Sequence, residues 1–188
     1  MSTSDRMPPI PADQMTEAQS AVVEAIVSGP RGSLPGPYVP LMRSPELMDI
    51  TQKLGEYLRF RSPLPANVKE LAILVIARLW DQGYEWAYHL PLALKAGVAR
   101  ETAEAIAEGR RPDAMSEREA AAYDLLTELN GSHQVSDPTY ARALAAFGEH
   151  GVVDLTGFSG CYSLLAMVMN TARTPAPEAE IPLAPRSA

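Results

Sequence analysis

Residues 71–77, LAILVIA, are apolar on every face of a helix, and this segment restricts the possible folds more than any other. The apolar run around it extends past ten residues, contains alanines and follows a helix-start signal at Asn67, which favours a helix over a buried strand. A helix without a polar face is stable in water only where other elements surround it. We therefore predict a central helix with the other helices packed around it.

The composition agrees with a helical protein of one domain. The 188 residues are 46% apolar and only 6% aromatic, and alanine, the strongest helix former, is abundant. We predict an all-α bundle of about seven to eight helices over residues 16–173. An extended arm over residues 1–15 precedes it and a Pro-rich tail over residues 174–188 follows it. Segments of this kind can lie on a neighbouring subunit.

Local signals mark where several helices begin and end. Thr16 with Gln19, and Ser116 with Glu119, have the spacing of capping boxes. Gly97 suits the carboxyl end of the helix that precedes it, because glycine readily adopts the left-handed conformation that caps a helix.

The Gly- and Pro-rich residues 28–40, SGPRGSLPGPYVP, are predicted to form a loop. The loop lacks the Lys-Ser/Thr pair and the preceding buried strand that a phosphate-binding loop requires. We expect it to form one wall of a pocket, with Tyr38 as its anchor. Arg59 and Arg61 lie near the end of the next predicted helix, where positive charge suits the helix dipole, so no substrate is needed to explain them.

The charge and the cysteine content limit the possible partners. A formal net charge of −7 without a basic cluster argues against nucleic acid. The lone Cys161 cannot form an internal disulfide. We recognise no leader and no uncharged run approaching the roughly 20 residues of a membrane span. We therefore expect a cytoplasmic protein with neither a nucleic-acid nor a membrane partner.

Glu85 and His89 are the strongest candidates for a catalytic pair. They lie four residues apart on one helix and share a face, so the carboxylate can orient and charge the imidazole. An ordinary pair on an amphipathic helix has the same spacing. Glu70 is a third candidate if it faces the same cavity, although with Asn67 it also has the spacing of a capping box.

Residues near this pair, and two more distant ones, are expected to contact the substrate. The predicted substrate-binding residues are Gln82, Tyr84, Trp86, Tyr38 and Asn170. Asn170 lies in an apolar helix, where a buried amide must find hydrogen-bond partners, so a purely structural role is the alternative for it.

A metal site is a further use for side chains of these types. Asp81, Glu85 and His89 follow one another at four-residue steps. Gly83, however, interrupts the helix between the first two, and no diagnostic metal motif is present. We expect neither a metal nor another cofactor.

Four segments of the sequence together resemble a known family. They read LGEYLRFRSPLP, KELAILVIARLW, YEWAYHLPLALKAG and LLAMVMNTARTP. They are similar to the carboxymuconolactone decarboxylase-like family, which includes the alkylhydroperoxidase D type. The resemblance covers about residues 37–175 and is strongest between Glu70 and Gly97. It implies an all-helical fold and a homo-oligomer such as a dimer, trimer or hexamer.

The peroxidase branch of that family uses a Glu, a Cys-x-x-Cys pair and a His four residues after the second Cys. Glu70 and His89 match this pattern, but Gln82 and Glu85 occupy the two cysteine positions. Neither side chain can attack a peroxide or form a disulfide, so thiol peroxidase chemistry is excluded. Cys161 lies far along the chain and is expected to be a small core residue.

The decarboxylase branch resembles this chain in Glu85, His89 and Gly97. The resemblance implies a lyase that acts without redox chemistry on a small unsaturated acid or lactone, by decarboxylation or a related isomerisation. His89 would supply the proton, and Glu85 and Glu70 would tune it. The alternatives are a lactone hydrolase on the same site and a non-catalytic, homo-oligomeric protein that binds a small molecule.

Overall fold

The computed structural model describes residues 4–34 and 36–185 of the chain. These residues form eight α-helices joined by turns and loops. These residues contain no strand, so the predicted all-α fold is confirmed. The helices are α1 (Glu17–Ser28), α2 (Tyr38–Leu41), α3 (Pro45–Glu56), α4 (Ala66–Leu79), α5 (Gly83–Ala96), α6 (Arg100–Ala107), α7 (Glu117–Ser132) and α8 (Asp137–Ala172).

The predicted central helix is α4. Its residues 71–77 are all buried, with at most 3% of any side chain exposed. Helices α5, α6, α7 and α8 all pack against it. Because α4 meets α5 along most of its length, Glu70 near the start of α4 comes close to His89 in α5.

The helix boundaries follow the local signals closely. The capping boxes opened by Thr16 and by Ser116 both form, as predicted. Gly97 ends α5 with a φ of 101°, in the left-handed region that glycine tolerates. Helix α3 begins with Pro45 at its first position, and the Ser44 side chain before it makes no capping hydrogen bond.

Helix α3 continues into a π-helical turn, Tyr57–Arg61. Such turns contain an extra residue and often lie at functional sites. The Tyr57 hydroxyl donates to Asp154 of α8 at 3.1 Å, and Arg59 donates to Glu70 of α4 at 3.5 Å. The sequence predicted an ordinary helix to about this point, so the π turn was not expected.

Helix α8 is interrupted at Gly148, whose φ of 66° is not helical. The interruption divides α8 into two helical halves. The second half lies against α4 and α7 and carries a long apolar surface into the core.

By length and composition alone, α8 could cross a membrane. The expectation that no uncharged run approaches the length of a membrane span was wrong, since residues 155–172 carry no charge. Within the most apolar window, 56% is buried inside the protein. Packing against the other helices therefore accounts for the apolar character of this segment.

Both terminal segments contact the domain of their own chain. Ile181 in the Pro-rich tail is buried, and its carbonyl accepts a hydrogen bond from the Trp86 indole at 2.6 Å. The Ala184 amide donates to the Ala107 carbonyl at 3.1 Å. In the N-terminal arm, the Arg6 amide donates to the carbonyl of Ala172 at 2.7 Å. These contacts lie within one chain, so a contact of the arm or the tail with another subunit stays a prediction, and residues 1–3 and 186–188 lie outside the described part.

Candidate active site

A small cavity lies between α5, α8, the end of α3 and the loop that follows α1. Its volume is about 30 Å³, which is room for one or two water molecules. Helix α5 contributes Tyr84, Glu85, Tyr88 and His89 to the wall. The remaining wall includes arginine, tyrosine and small residues from other elements, among them Arg31, Tyr38, Gly55, Arg59 and Tyr162.

A hydrogen-bonded Glu–His pair stands at this cavity. His89 Nδ1 and Glu70 Oε2 are 2.7 Å apart, and the two side chains are 6% and 13% exposed. The other Glu70 oxygen accepts from Arg59 at 3.5 Å. Glu70 therefore contacts the cavity histidine. The capping alternative does not hold, since α4 begins at Ala66 with Pro65 as its N-cap, and the Asn67 side-chain amide donates to Glu119 at 3.1 Å.

His89 is held as a neutral imidazole. Burial lowers its pKa, and the nearby Glu70 opposes that effect only in part. With Glu70 accepting at Nδ1, the proton of the neutral ring lies on Nδ1 and the lone pair lies on Nε2. His89 can therefore take up a proton through Nε2.

Glu85 is a buried carboxyl group at the same cavity. It is 2% exposed, and neither of its oxygens has a hydrogen-bond partner among the described residues. Burial raises its pKa well above the usual range, which favours the uncharged acid. The prediction that Glu85 orients His89 was wrong, because Glu70 occupies the Nδ1 position across the interface between α4 and α5.

Two arginines that sequence reasoning did not assign to the site lie in the cavity wall. Arg59 was interpreted as a helix-end charge, but it reaches Glu70 and lines the cavity. The Arg31 guanidinium lies over the Tyr38 ring, 5.2 Å from the ring centroid. The only signal for Arg31 was its place in the loop predicted to form a pocket wall. No signal in the sequence predicted the π turn, which directs Arg59 toward the cavity.

The cavity wall is rich in tyrosine. The Tyr162 and Tyr88 rings meet the His89 ring edge-on, with centroids 5.5 and 5.1 Å away. Burial raises the pKa of Tyr38 to about 12 and also raises the pKa of Tyr162, so both stay uncharged phenols. Tyr84 accepts a hydrogen bond from the Gly36 amide at 2.9 Å. Tyr38 and Tyr84 thus lie where a substrate contact was predicted, and that contact stays a prediction.

The other three predicted substrate-binding residues are structural. The Gln82 side-chain oxygen caps α5, accepting from the amides of Tyr84 and Glu85 at 2.6 and 3.3 Å. Its amide nitrogen donates to Asn170 at 2.9 Å, which joins the start of α5 to the end of α8. Trp86 is 1% exposed and holds the C-terminal tail. None of these three side chains lines the cavity.

Asp81 and Cys161 also have structural surroundings. Asp81 bonds to Arg78 at 2.7 Å with a side chain 42% exposed, away from the buried Glu85 and His89. No three His, Cys, Asp or Glu side chains come together as a metal site within residues 4–34 and 36–185. Cys161 is 2% exposed and burial raises its pKa to about 12, so it is the predicted core residue and stays a thiol.

Comparison with solved structures shows which class of protein this fold defines. The chain is similar to an alkylhydroperoxidase AhpD core structure, an uncharacterized peroxidase-related protein from Ralstonia eutropha JMP134. The TM-score is 0.75 and the identity 13%, over 93% of each chain. It is also similar to the debrominase Bmp8, with a TM-score of 0.71 and 14% identity over 94% of each chain. One structure of that debrominase contains 2,3,4-tribromopyrrole.

A third similar structure is a protein of unknown function from Agrobacterium tumefaciens, described as a putative antioxidant defence protein AhpD. Its TM-score is 0.62 and its identity 16%, covering 72% of this chain and 94% of that one. At these identities the likeness defines the fold, which is the all-α alkylhydroperoxidase D-like fold.

The sequence of the helices that build the site gives a likeness to a family as well. A model of the carboxymuconolactone decarboxylase family matches residues 45–128, which include Glu70, Glu85 and His89. Over these residues the chain is similar to that family. A comparison with curated proteins finds no match.

Proposed function

We propose that this chain is an enzyme that transfers protons, without redox chemistry, on a small unsaturated acid or lactone. One observation supports the proposal above all others. A neutral His89 oriented by Glu70 and an uncharged Glu85 line the same cavity, so a base and an acid are available together. Groups whose surroundings favour opposite proton-transfer roles are typical of acid–base catalysis.

His89 is the proposed base. Its Nε2 lone pair takes a proton from a carbon next to the substrate carbonyl, and the electrons of that C–H bond move into the conjugated carbonyl system. The resulting imidazolium is stabilised by Glu70, which accepts from Nδ1 at 2.7 Å. Arg59 holds the second oxygen of Glu70 and so fixes the orientation of the carboxylate.

Glu85 is the proposed acid. Its uncharged carboxyl group donates a proton at the far end of the conjugated system, which completes an isomerisation, and then regains a proton from the His89 imidazolium through the substrate or water. In a decarboxylation, the bond to the leaving carboxylate breaks and its electron pair moves into the conjugated carbonyl. Glu85 then protonates the carbon as carbon dioxide departs, and the Glu85 carboxylate regains its proton from water.

The cavity wall suits such a reaction because it is largely aromatic and enclosed. The uncharged tyrosines Tyr38 and Tyr162 give it a low polarity, in which the charges of His89 and Glu70 interact more strongly than in water. A sulfur-based reaction has no support at this position, because Gln82 and Glu85 stand where the peroxidase branch has cysteines.

The test is deuterium exchange in heavy water, followed by proton NMR. A panel of unsaturated acids and lactones is incubated with the protein, so that loss of a C–H signal reports proton abstraction and new signals report decarboxylation, isomerisation or hydrolysis. We expect His89→Ala to lower the rate by about 10²- to 10⁴-fold, the usual contribution of a general base.

Two variants serve as controls. His133→Ala removes an exposed histidine at the end of α7, and Cys161→Ala removes the lone thiol. Both are expected to keep the wild-type rate. Equal rates for wild type and His89→Ala would contradict the assignment of His89, and ring-opened products without carbon-bound deuterium would indicate a lactone hydrolase. No turnover of any compound by the wild type would favour the non-catalytic binding protein.

A further inference from the structure

Arg31 has an unusual position for a charged side chain. Its guanidinium lines the cavity and stacks over Tyr38, and it forms no ion pair with any residue in the described part of the chain. Its Nε atom is buried without a hydrogen-bond partner among those residues. The residue as a whole is only partly buried. A partly desolvated cation in a cavity wall, with no carboxylate beside it, is a group to which an anionic ligand can bind.

Gly55 provides the space in which the guanidinium lies. A Cβ atom at this position of α3 would be 2.7 Å from Arg31 Nη2, closer than a real contact allows. The same Cβ would be 3.4 Å from the Tyr38 hydroxyl. The absence of a side chain at Gly55 therefore lets Arg31 pack against the α3 backbone beside Tyr38.

The charges at the cavity do not balance. Arg59 is paired with the Glu70 carboxylate. His89 and Glu85 favour their uncharged forms because both are buried. Among the described wall residues, Arg31 therefore contributes one positive charge that no neighbouring carboxylate offsets. One negative charge on a ligand would restore the balance.

We propose that Arg31 determines substrate specificity by binding the carboxylate of a flat, singly charged, unsaturated acid whose body lies against the tyrosine rings. A guanidinium donates two parallel hydrogen bonds to a carboxylate, which fixes the direction of the ligand. A neutral lactone lacks the anion, and a dianion brings a second charge without a partner. This proposal rests on the proposed function only for the position of the reacting carbon.

Binding of a carboxylate by Arg31 also limits which reactions the site can catalyse. If Arg31 holds the only carboxylate of the substrate, the ion pair stabilises the ground state and opposes loss of that group as carbon dioxide. Proton transfer by His89 and Glu85 then shifts a double bond while the carboxylate stays in place. An isomerisation of a monoacid is the reaction that fits.

The test is calorimetric titration of the full-length protein with three probes of one shape. They are 2-furoate, its neutral amide 2-furamide, and the dianion furan-2,5-dicarboxylate. We expect 2-furoate to bind at least about tenfold more tightly than either of the others, since a hydrogen-bonded ion pair contributes that much. Arg31→Gln should remove this preference, and Arg31→Lys should restore only part of it, because lysine lacks the planar fork.

Gly55→Ala is the sharper variant. Alanine suits a helix better than glycine, so the melting temperature should not fall, whereas the displaced guanidinium should weaken 2-furoate binding in the same direction as Arg31→Gln. Arg61→Gln removes a positive charge outside the cavity and should leave the affinity unchanged. Equal binding of 2-furoate by wild type and Arg31→Gln would overturn the proposal, as would equal or absent binding of the three probes by the wild type.

His89→Ala separates this proposal from the proposed function. The variant should bind 2-furoate like the wild type while it loses deuterium exchange. If Arg31→Gln loses 2-furoate affinity but His89→Ala retains exchange activity, the carboxylate site stands and the catalytic assignment fails. The opposite pair of results overturns the carboxylate site alone.

Discussion

Glu85 lies in surroundings that make its ionisation unfavourable. A carboxyl group that is 2% exposed, with both oxygens unpaired among the described residues, is costly to ionise. The pKa of Glu85 is therefore raised in the folded protein, and this makes the folding stability depend on pH. A functional site is where such a cost is commonly retained.

We predict that the contribution of Glu85 to the free energy of unfolding falls as pH rises above the pKa of a solvated glutamate, about 4.3. In that range the folded protein keeps the Glu85 proton that the unfolded chain releases, so rising pH favours unfolding until the folded-state pKa is passed. The slope from one group is at most about 1.4 kcal/mol per pH unit. Glu85→Gln should remove this slope, measured by urea unfolding at several pH values.

Glu101→Gln is the matched control, because it removes an exposed carboxylate near the start of α6. It should leave the slope unchanged. Parallel pH profiles for wild type and Glu85→Gln would mean that Glu85 is ionised in the folded protein, and the proposed acid would then be wrong.

The sequence could name the reacting residues but not how they pair. Spacing placed Glu85 and His89 on one face of a helix, which is a statement about one element only. The partner of His89 depends on how α4 lies against α5, and that angle brings Glu70 to Nδ1. The place of Arg31 in the cavity wall could not be predicted either, because a loop without periodicity does not show where its side chains point.

At the scale of elements, the well-predicted features are those with local causes. Capping boxes, the glycine at the end of α5 and the apolar run of α4 are set by residues within one or two turns. The π turn at Tyr57–Arg61 and the path of the C-terminal tail depend on contacts with residues far along the chain. Such contacts cannot be read from spacing.

Gly36, in the segment between α1 and α2, is tied to Tyr84 of α5, which lines the cavity. The Gly36 amide donates to the Tyr84 hydroxyl at 2.9 Å, and a Cβ at Gly36 would overlap the Tyr84 ring at 2.3 Å. The cavity volume of about 30 Å³ is too small for a substrate of eight or more heavy atoms. A substrate of that size therefore requires the cavity to widen.

We predict that Tyr84→Phe releases the segment, because it removes the acceptor for the Gly36 amide and keeps the ring. Hydrogen exchange in peptides that contain residue 36 should become roughly two- to tenfold faster, as expected for one hydrogen bond. Tyr140→Phe, at an exposed tyrosine of α8, should have no effect there. Unchanged exchange in Tyr84→Phe would show that other contacts hold the segment in place.

At the scale of the whole molecule, α3 carries an exposed apolar stripe. Leu47, Ile50 and Leu54 are 40%, 66% and 42% exposed, and they follow one another at helical spacing. Met167 of α8, 42% exposed, lines a groove together with Leu47. Apolar surface that continues across two helices is typical of a protein interface.

We propose that this stripe joins copies of the chain in a homo-oligomer. Light scattering after gel filtration should give a mass that is a multiple of 20.3 kDa for the wild type. Ile50→Asp should shift the protein toward the monomer, because a charge buried at the contact lacks a partner. The far-UV circular dichroism of the variant should not change, since Ile50 is exposed.

Val153→Asp is the control, since Val153 is 67% exposed on a different helix. It should leave the assembly intact. A wild-type monomer would contradict the homo-oligomer, and dissociation by Val153→Asp alone would place the interface on α8 instead.

The contact between Trp86 and the tail gives the molecule an optical signal of its own. The chain has two tryptophans. Trp86 is 1% exposed and its indole bonds to the Ile181 carbonyl, whereas Trp80 is 37% exposed. The Trp86 indole fluoresces from a buried, apolar environment, whereas the Trp80 indole is partly exposed to water. Departure of the tail would admit water to Trp86 and shift its emission to longer wavelength, so the wavelength of the fluorescence reports whether the tail is in place.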